Sequence, residues 1–130
     1  MRIALHRGDI RLVRFLIKNQ SPELSNENLS TSTDELTDID FSEIYFTVKK
    51  NTRTEEVIFQ KKLSDDGIIK IGQGDYQLKI DSSDTSDLSY GNYKFDVQLE
   101  WIDELGNTQL KESFVGDFVV MEEVTFYMNE

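Results

Sequence analysis

The chain has 130 residues, no cysteine and one proline, a length that suits one domain able to bury enough surface to fold without covalent staples. Fourteen Lys and Arg against 25 Asp and Glu leave a net charge of −11, which repels phosphate backbones and argues against nucleic acid as a partner. Without cysteine there is no disulfide scaffold, thiol nucleophile or cysteine-ligated zinc, and no apolar run approaches the ~18 residues of a membrane span.

The amino end, residues 1–19, is interrupted by Arg7, Asp9, Arg11 and Arg14. It lacks the continuous apolar stretch and cleavage site of a secretory signal. It reads as the first element of the fold, in a protein made in the cytosol. Residues 10–18 place Val13, Phe15 and Ile17 on one parity. Leu12, Phe15 and Leu16 also fit helical spacing. The shortness, the β-formers and the Gly8-Asp9 turn signal favour a strand.

Residues 19–40 differ in kind. Ten of those 22 are Ser, Thr or Asn, and Pro22 is among the rest. Such a stretch buries too little apolar area to offset its ordering entropy. Most of it is expected to form a long, mobile surface loop.

From residue 41 the pattern alternates. Ile44, Phe46 and Val48 share a face, as do Val57, Phe59 and Leu63. A short strand, 67–71, follows the Asp65-Asp66-Gly67 turn. Tyr76, Leu78 and Ile80 oppose Asp75, Gln77, Lys79 and Asp81. The clearest run is 92–101, where Tyr93, Phe95, Val97, Leu99 and Trp101 all point one way. That is the signature of a half-buried antiparallel strand. A turn at 103–107 reverses the chain into 108–120, and a last strand is expected at 123–128. About eight or nine short strands without a convincing helix predict an all-β fold: an Ig-like antiparallel β-sandwich lacking the antibody cysteine pair.

Chemical motifs are sparse. His6 is the sole histidine, so any Ser-His-Asp arrangement needs it. No positioned nucleophile accompanies it, and it reads as an exposed or edge-strand residue. Glu100, Asp103 and Glu104 flank Trp101, the ingredients of a carboxylate-based sugar site. The parity of Trp101 assigns it to the core instead. The 81–87 stretch, DSSDTSD, offers oxygens to Ca²⁺ but lacks an EF-hand register. It reads as a turn. Gly72 and Gly74 lead into a strand rather than a helix, so they mark a hairpin and not a phosphate loop. No cofactor or metal is expected.

Charge asymmetry says more. Arg2, Arg7, Arg11, Arg14 and Lys18 crowd the amino end with only Asp9 among them. A basic edge on an acidic body favours head-to-tail docking on an oppositely charged neighbour; the competing reading is a solvated strand face. Arg7, Arg11 and Arg14 are therefore candidate partner-binding residues. Leu24, Leu29 and Leu36 join them, as apolar anchors in a segment that orders on a partner.

The order of the motifs resembles a known family. Leu36-Thr37-Asp38 precedes Ile44-Tyr45-Phe46-Thr47-Val48, then Asp66-Gly67-Ile68 and Asp75-Tyr76-Gln77-Leu78-Lys79-Ile80. Leu88-Ser89-Tyr90-Gly91-Asn92-Tyr93-Lys94-Phe95-Asp96-Val97 follows, and near the end stand Gly116-Asp117-Phe118-Val119-Val120 and Val124-Thr125. This order is similar to the Ig-like amino-terminal domain of phage baseplate upper proteins and related tail modules, over most of residues 9–127. Gly91 fits a turn before the strongest strand, and Gly116 a bulge or turn. The resemblance implies a non-enzymatic part of a phage or prophage particle, a homo-oligomer bound to other virion proteins. It carries no catalytic residues. Two departures are the long polar 19–40 segment and the absence of a stalk or receptor-binding domain after residue 130, which favour a stand-alone tail, neck or connector component. The alternative function is a carbohydrate-binding or adhesion module, with Tyr45, Tyr90 and Tyr127 outward by parity. A small carboxylate-based hydrolase has the least support.

Overall fold

The structure is a computed structural model. It describes residues 2–17, 22–25, 37, 39–51, 53 and 56–122, with backbone alone for 22–25, 112 and 113. The described elements are β1 (Arg2–His6), β2 (Arg11–Ile17), β3 (Pro22–Ser25), β4 (Glu43–Lys49), β5 (Val57–Lys62), β6 (Ile68–Gly72), β7 (Asp75–Ile80), α1 (Ser82–Thr85), β8 (Gly91–Ile102) and β9 (Thr108–Met121). They form two sheets, ordered β1-β9-β8-β4-β5 and β3-β2-β7-β6. The expected all-β sandwich is the fold.

Burial follows strand parity. Ile44, Phe46 and Val48 on β4, and Phe95, Val97 and Leu99 on β8, point inward. They meet Val13, Phe15 and Ile17 of β2 and Tyr76, Leu78 and Ile80 of β7 in one apolar cluster. Phe46 is its hub. Its ring lies 5.3 Å from Phe95 and 6.1 Å from Phe59 in its own sheet, and 6.3 Å from Phe15 in the other. Within the 10–18 stretch, Arg11–Ile17 are thus settled as strand, since β2 places alternate side chains between the sheets.

Strand order gives the Ig-like topology its content. The strand sets β2-β7-β6 and β4-β8-β9 lie as B-E-D and C-F-G do in immunoglobulin domains. Tyr93, near the start of β8, donates its hydroxyl to the carbonyl of Ser89 at 2.7 Å. This is the tyrosine corner of such sandwiches, and Phe95, two residues on, takes the place where antibody domains carry a cysteine. A stack of Phe15, Phe46 and Phe95 occupies the centre that a disulfide and tryptophan fill there.

Several expectations need correction. The sandwich is not wholly antiparallel: β1 pairs β9 in parallel, Arg2 opposite Asp117 through His6 opposite Met121. The chain leaves β1 for the other sheet, so no hairpin dictates the direction of β1. The 19–40 segment is not loop throughout, because Pro22–Ser25 pair with β2, Ile17 opposite Pro22 and Arg14 opposite Ser25. Thr37 donates its N–H to the carbonyl of Ile17 at 2.8 Å and is buried. Val57 does not share the face of Phe59: the register shifts after Val48, pairing Val57 with Lys49 and leaving it exposed. Gly116 marks neither turn nor bulge. It lies within β9 opposite Phe95, and the irregularity falls between Val97 and Gln98. By register it shares the inward parity of Phe114 and Phe118. Gly91 does open β8, at φ 146°. The 81–87 stretch, expected as a plain turn, holds the short helix α1. The strand expected at 123–128 lies outside the described residues.

Candidate functional site

β8 and β9 outrun their neighbours. The pairing of β4 with β8 ends at Glu43 opposite Glu100, and β1 covers only Asp117–Met121 of β9. The paired strands continue to Ile102 opposite Thr108. Residues 101–109 thus project as a two-stranded hairpin, with Leu110 at its base. Trp101 braces its base: half-buried rather than fully enclosed in the core, it meets Phe41 edge-on with centroids 5.9 Å apart.

The turn is built by one carboxylate. Asp103 accepts the N–H of Leu105 at 3.0 Å, the N–H of Asn107 at 2.9 Å and the side-chain amide of Gln109 at 2.9 Å. Its own N–H donates to the carbonyl of Asn107 at 2.9 Å, and its carbonyl accepts the N–H of Gly106 at 3.0 Å. The Asn107 N–H, followed by Gln109 and Leu105, holds the Asp103 carboxyl below the ordinary carboxylate value. Gly106 sits at φ 82°, a left-handed conformation that glycine adopts without a Cβ penalty. This fixed turn presents Leu105 at 85% exposure, with Ile102 and Leu110 also outward and exposed. Asp103 and Glu104 are the only charges in 102–110. The tip is apolar, acidic and braced.

On the outer face of the same sheet lies a shallow cleft of about 340 Å³, lined by Thr47, Lys49, Asn51, Lys94, Asp96 and Val115 among others. Val115 is half exposed there. Lys94 holds Asp117 and lowers its carboxyl pKa by hydrogen bonding. Lys49 lines the cleft, and the exposed Lys50 and Arg53 follow it in the chain. The cleft is mixed in charge, with Lys49 and Lys94 beside Asp96 around the apolar Val115.

The sequence-predicted residues do not converge. Arg7 places its guanidinium 4.5 Å from the Tyr90 ring centroid and donates to the carbonyl of Leu88. Arg11 reaches across the sandwich to the carbonyl of Ala4 at 2.8 Å, tying β2 to β1. Arg14 donates two hydrogen bonds to the carboxylate of Asp75, from Nε at 2.8 Å and from Nη2 at 2.5 Å. All three arginines thus contact their own fold. Leu24 lies in β3 opposite Phe15. Leu29 and Leu36 lie outside the described residues.

The remaining candidates resolve as structure. His6 stands in edge strand β1, its Nδ1 donating to the carbonyl of Glu122 at 2.8 Å. At 81–87, cations already hold the acids: the Lys61 ammonium sits 2.7 Å from Asp84 and 3.1 Å from Asp81, and Lys79 lies 3.7 Å from Asp81. Burial works against that charge, but the bonds to Asp84 and Asp81 prevail and raise the Lys61 pKa. Among the described residues no group of three or more metal-ligating side chains gathers, and no helix is long and apolar enough to cross a membrane. Gly72 and Gly74 sit in the β6–β7 hairpin. Tyr45 donates to Glu100 at 3.2 Å on the outer face, Tyr90 lies under Arg7, and Tyr127 is outside the described residues. Sequence reasoning read 103–107 only as a turn and so missed the tip. The signal was a leucine inside Asp103-Glu104-Leu105-Gly106-Asn107, between two strands longer than their neighbours. No family model, curated protein or solved structure matches the chain.

Proposed function

We propose that this domain is a structural part of a phage or prophage particle, a tail, baseplate, neck or connector component acting through protein–protein contacts. The braced β8–β9 hairpin carries the reading. An 85%-exposed leucine on a turn fixed by five hydrogen bonds is costly to leave in water and is already ordered for docking. F–G hairpins are also where Ig-like domains commonly present binding residues. The motif order from Leu36 to Thr125 supplies the resemblance to baseplate and tail modules. The protein is then made in the cytosol and resides in the virion.

The test is composition. Particles purified by density gradient from the source are digested and searched by mass spectrometry for peptides of this chain. Recovery in constant ratio to the major tail proteins supports the reading. Recovery only in the particle-free fraction overturns it.

A further inference from the structure

Among the strands that end the two sheets, β5 and β6 follow one another in the chain. Such edges leave a row of backbone N–H and C=O groups open to another strand. Residues 67–72 read Gly-Ile-Ile-Lys-Ile-Gly, with Ile69 and Ile71 exposed, and β5 begins with the exposed Val57. A short, β-branched, nearly uncharged window of this kind is prone to pair edge to edge. Lys70 is its only charge.

Both strands carry a lysine at an inward position. Lys61 lies opposite Phe46 and Lys70 opposite Tyr76, and both partners are buried between the sheets. Each ammonium is held by acids that belong to the other layer. Lys61 on β5 reaches Asp84 at 2.7 Å and Asp81 at 3.1 Å, just after β7. Lys70 on β6 reaches Asp40 at 2.5 Å, just ahead of β4. The stem of Lys61 runs close over Gly67, where an added Cβ would lie 3.0 Å from its Cβ and Cδ.

We propose that Lys61 and Lys70 guard this side of the sandwich, holding a charge at an inward position of each edge so that no strand of a second copy adds to β5 or β6. Two β6 edges meeting antiparallel in full overlap set Lys70 against Lys70, with Ile69 against Ile71. Residues directly opposite approach to about 4.5–5.5 Å at Cβ, where like charges repel. A slip of two residues sets Lys70 against Ile68 instead and gives up rungs of the ladder. At β5 an added strand would strip the remaining water from Lys61, whose side chain is only 13% exposed. Inward charges on edge strands are a known way to block such pairing. Removing them leaves an aliphatic edge open to continued sheet growth. The inference stands on the two edges alone and is independent of the particle reading above.

The test removes each charge and measures self-association. Lys70→Met, Lys70→Gln and the pair Lys61→Met with Asp84→Asn are compared with Lys79→Met, whose lysine lies on the interior strand β7. Lys70→Met and Lys79→Met each take one positive charge from a chain at −11, so general repulsion rises equally in both. Near-UV circular dichroism confirms folding, and sedimentation velocity over a concentration series measures association. The Lys70 variants are expected to associate about tenfold more tightly than the native chain, with new hydrogen-exchange protection confined to 67–72. The Lys61 variant should do the same at 57–62. Lys79→Met and Lys70→Arg should match the native chain. Asp40→Asn should match it too, because it breaks the ion pair but keeps the ammonium. Folded Lys70 or Lys61 variants that sediment like the native chain overturn the inference. So does equal association in Lys79→Met or Asp40→Asn. Loss of the folded signal in the lysine variants overturns it as well, since the lysines would then be needed by the fold itself.

Discussion

Removing one oxygen tests whether the tyrosine corner holds the sandwich. Tyr93 is 9% exposed, and its hydroxyl donates to the Ser89 carbonyl at 2.7 Å. Tyr93→Phe keeps the ring in the core and deletes only that bond. A neutral hydrogen bond contributes about 0.5–1.5 kcal/mol net, and the acceptor left behind adds a penalty only where water is excluded. Ser89 is exposed, so its carbonyl regains water and the expected loss is about 1 kcal/mol. For a chain of 130 residues, the entropy of unfolding near 60 °C is about 0.27 kcal/mol/K, so Tm should fall by about 4 °C. Scanning calorimetry of Tyr93→Phe beside Tyr45→Phe is the assay. Tyr45 donates to Glu100 from the outer face, and its loss should leave Tm unchanged within error. Equal shifts in the two variants, or none in Tyr93→Phe, would refute the claim that the corner stabilises the fold.

Three further outcomes are expected. Phe46→Ala removes the hub of the aromatic stack and should cost about 3–5 kcal/mol in urea unfolding; a loss under 1 kcal/mol would mean that the sheets collapse onto the space. A double-mutant cycle of Lys61→Met and Asp84→Asn should show coupling of about 1 kcal/mol after allowance for solvent screening, shrinking as salt rises; zero coupling would leave α1 without its tether. The carboxyls of Asp40, Asp81, Asp103 and Asp117 all lie below their ordinary value of 3.8. The unfolded chain therefore binds protons first as pH falls, and these groups contribute stability above pH ~4 that is lost in more acid solution. The urea midpoint should fall steadily from pH 5 to pH 3; a rise would mean that relief of self-repulsion at a net charge of −11 outweighs the four carboxylates.

How much was legible depends on where each residue is buried. β8 could be read at once, because five inward residues at period two leave no other solution. β2 was readable for the same reason, although Leu16 is also buried and blurs its alternation. β3 was not, since Pro22–Ser25 is a polar edge strand whose pairing is backbone to backbone with β2. The parallel direction of β1 was hidden too. Its partner lies more than 110 residues away, and no short-range turn dictates the pairing. The arginine cluster was visible, but its internal contacts with Ala4, Asp75 and Tyr90 arise only when two sheets and a loop meet. Leu105 looks ordinary in sequence. Its exposure becomes informative only once β8 and β9 are known to extend past β4 and β1.

The parallel pairing of β1 with β9 has a mechanical consequence. A pull between Arg2 and Met121 draws the start of one strand and the end of its partner in opposite directions along the same axis. The slanted, evenly spaced bonds between them are then loaded in shear and share the force. By contrast, the β6–β7 and β2–β3 hairpins open rung by rung when their free ends are drawn apart. Tension applied between these two strands thus meets its stiffest resistance at the edge where β1 and β9 lie side by side.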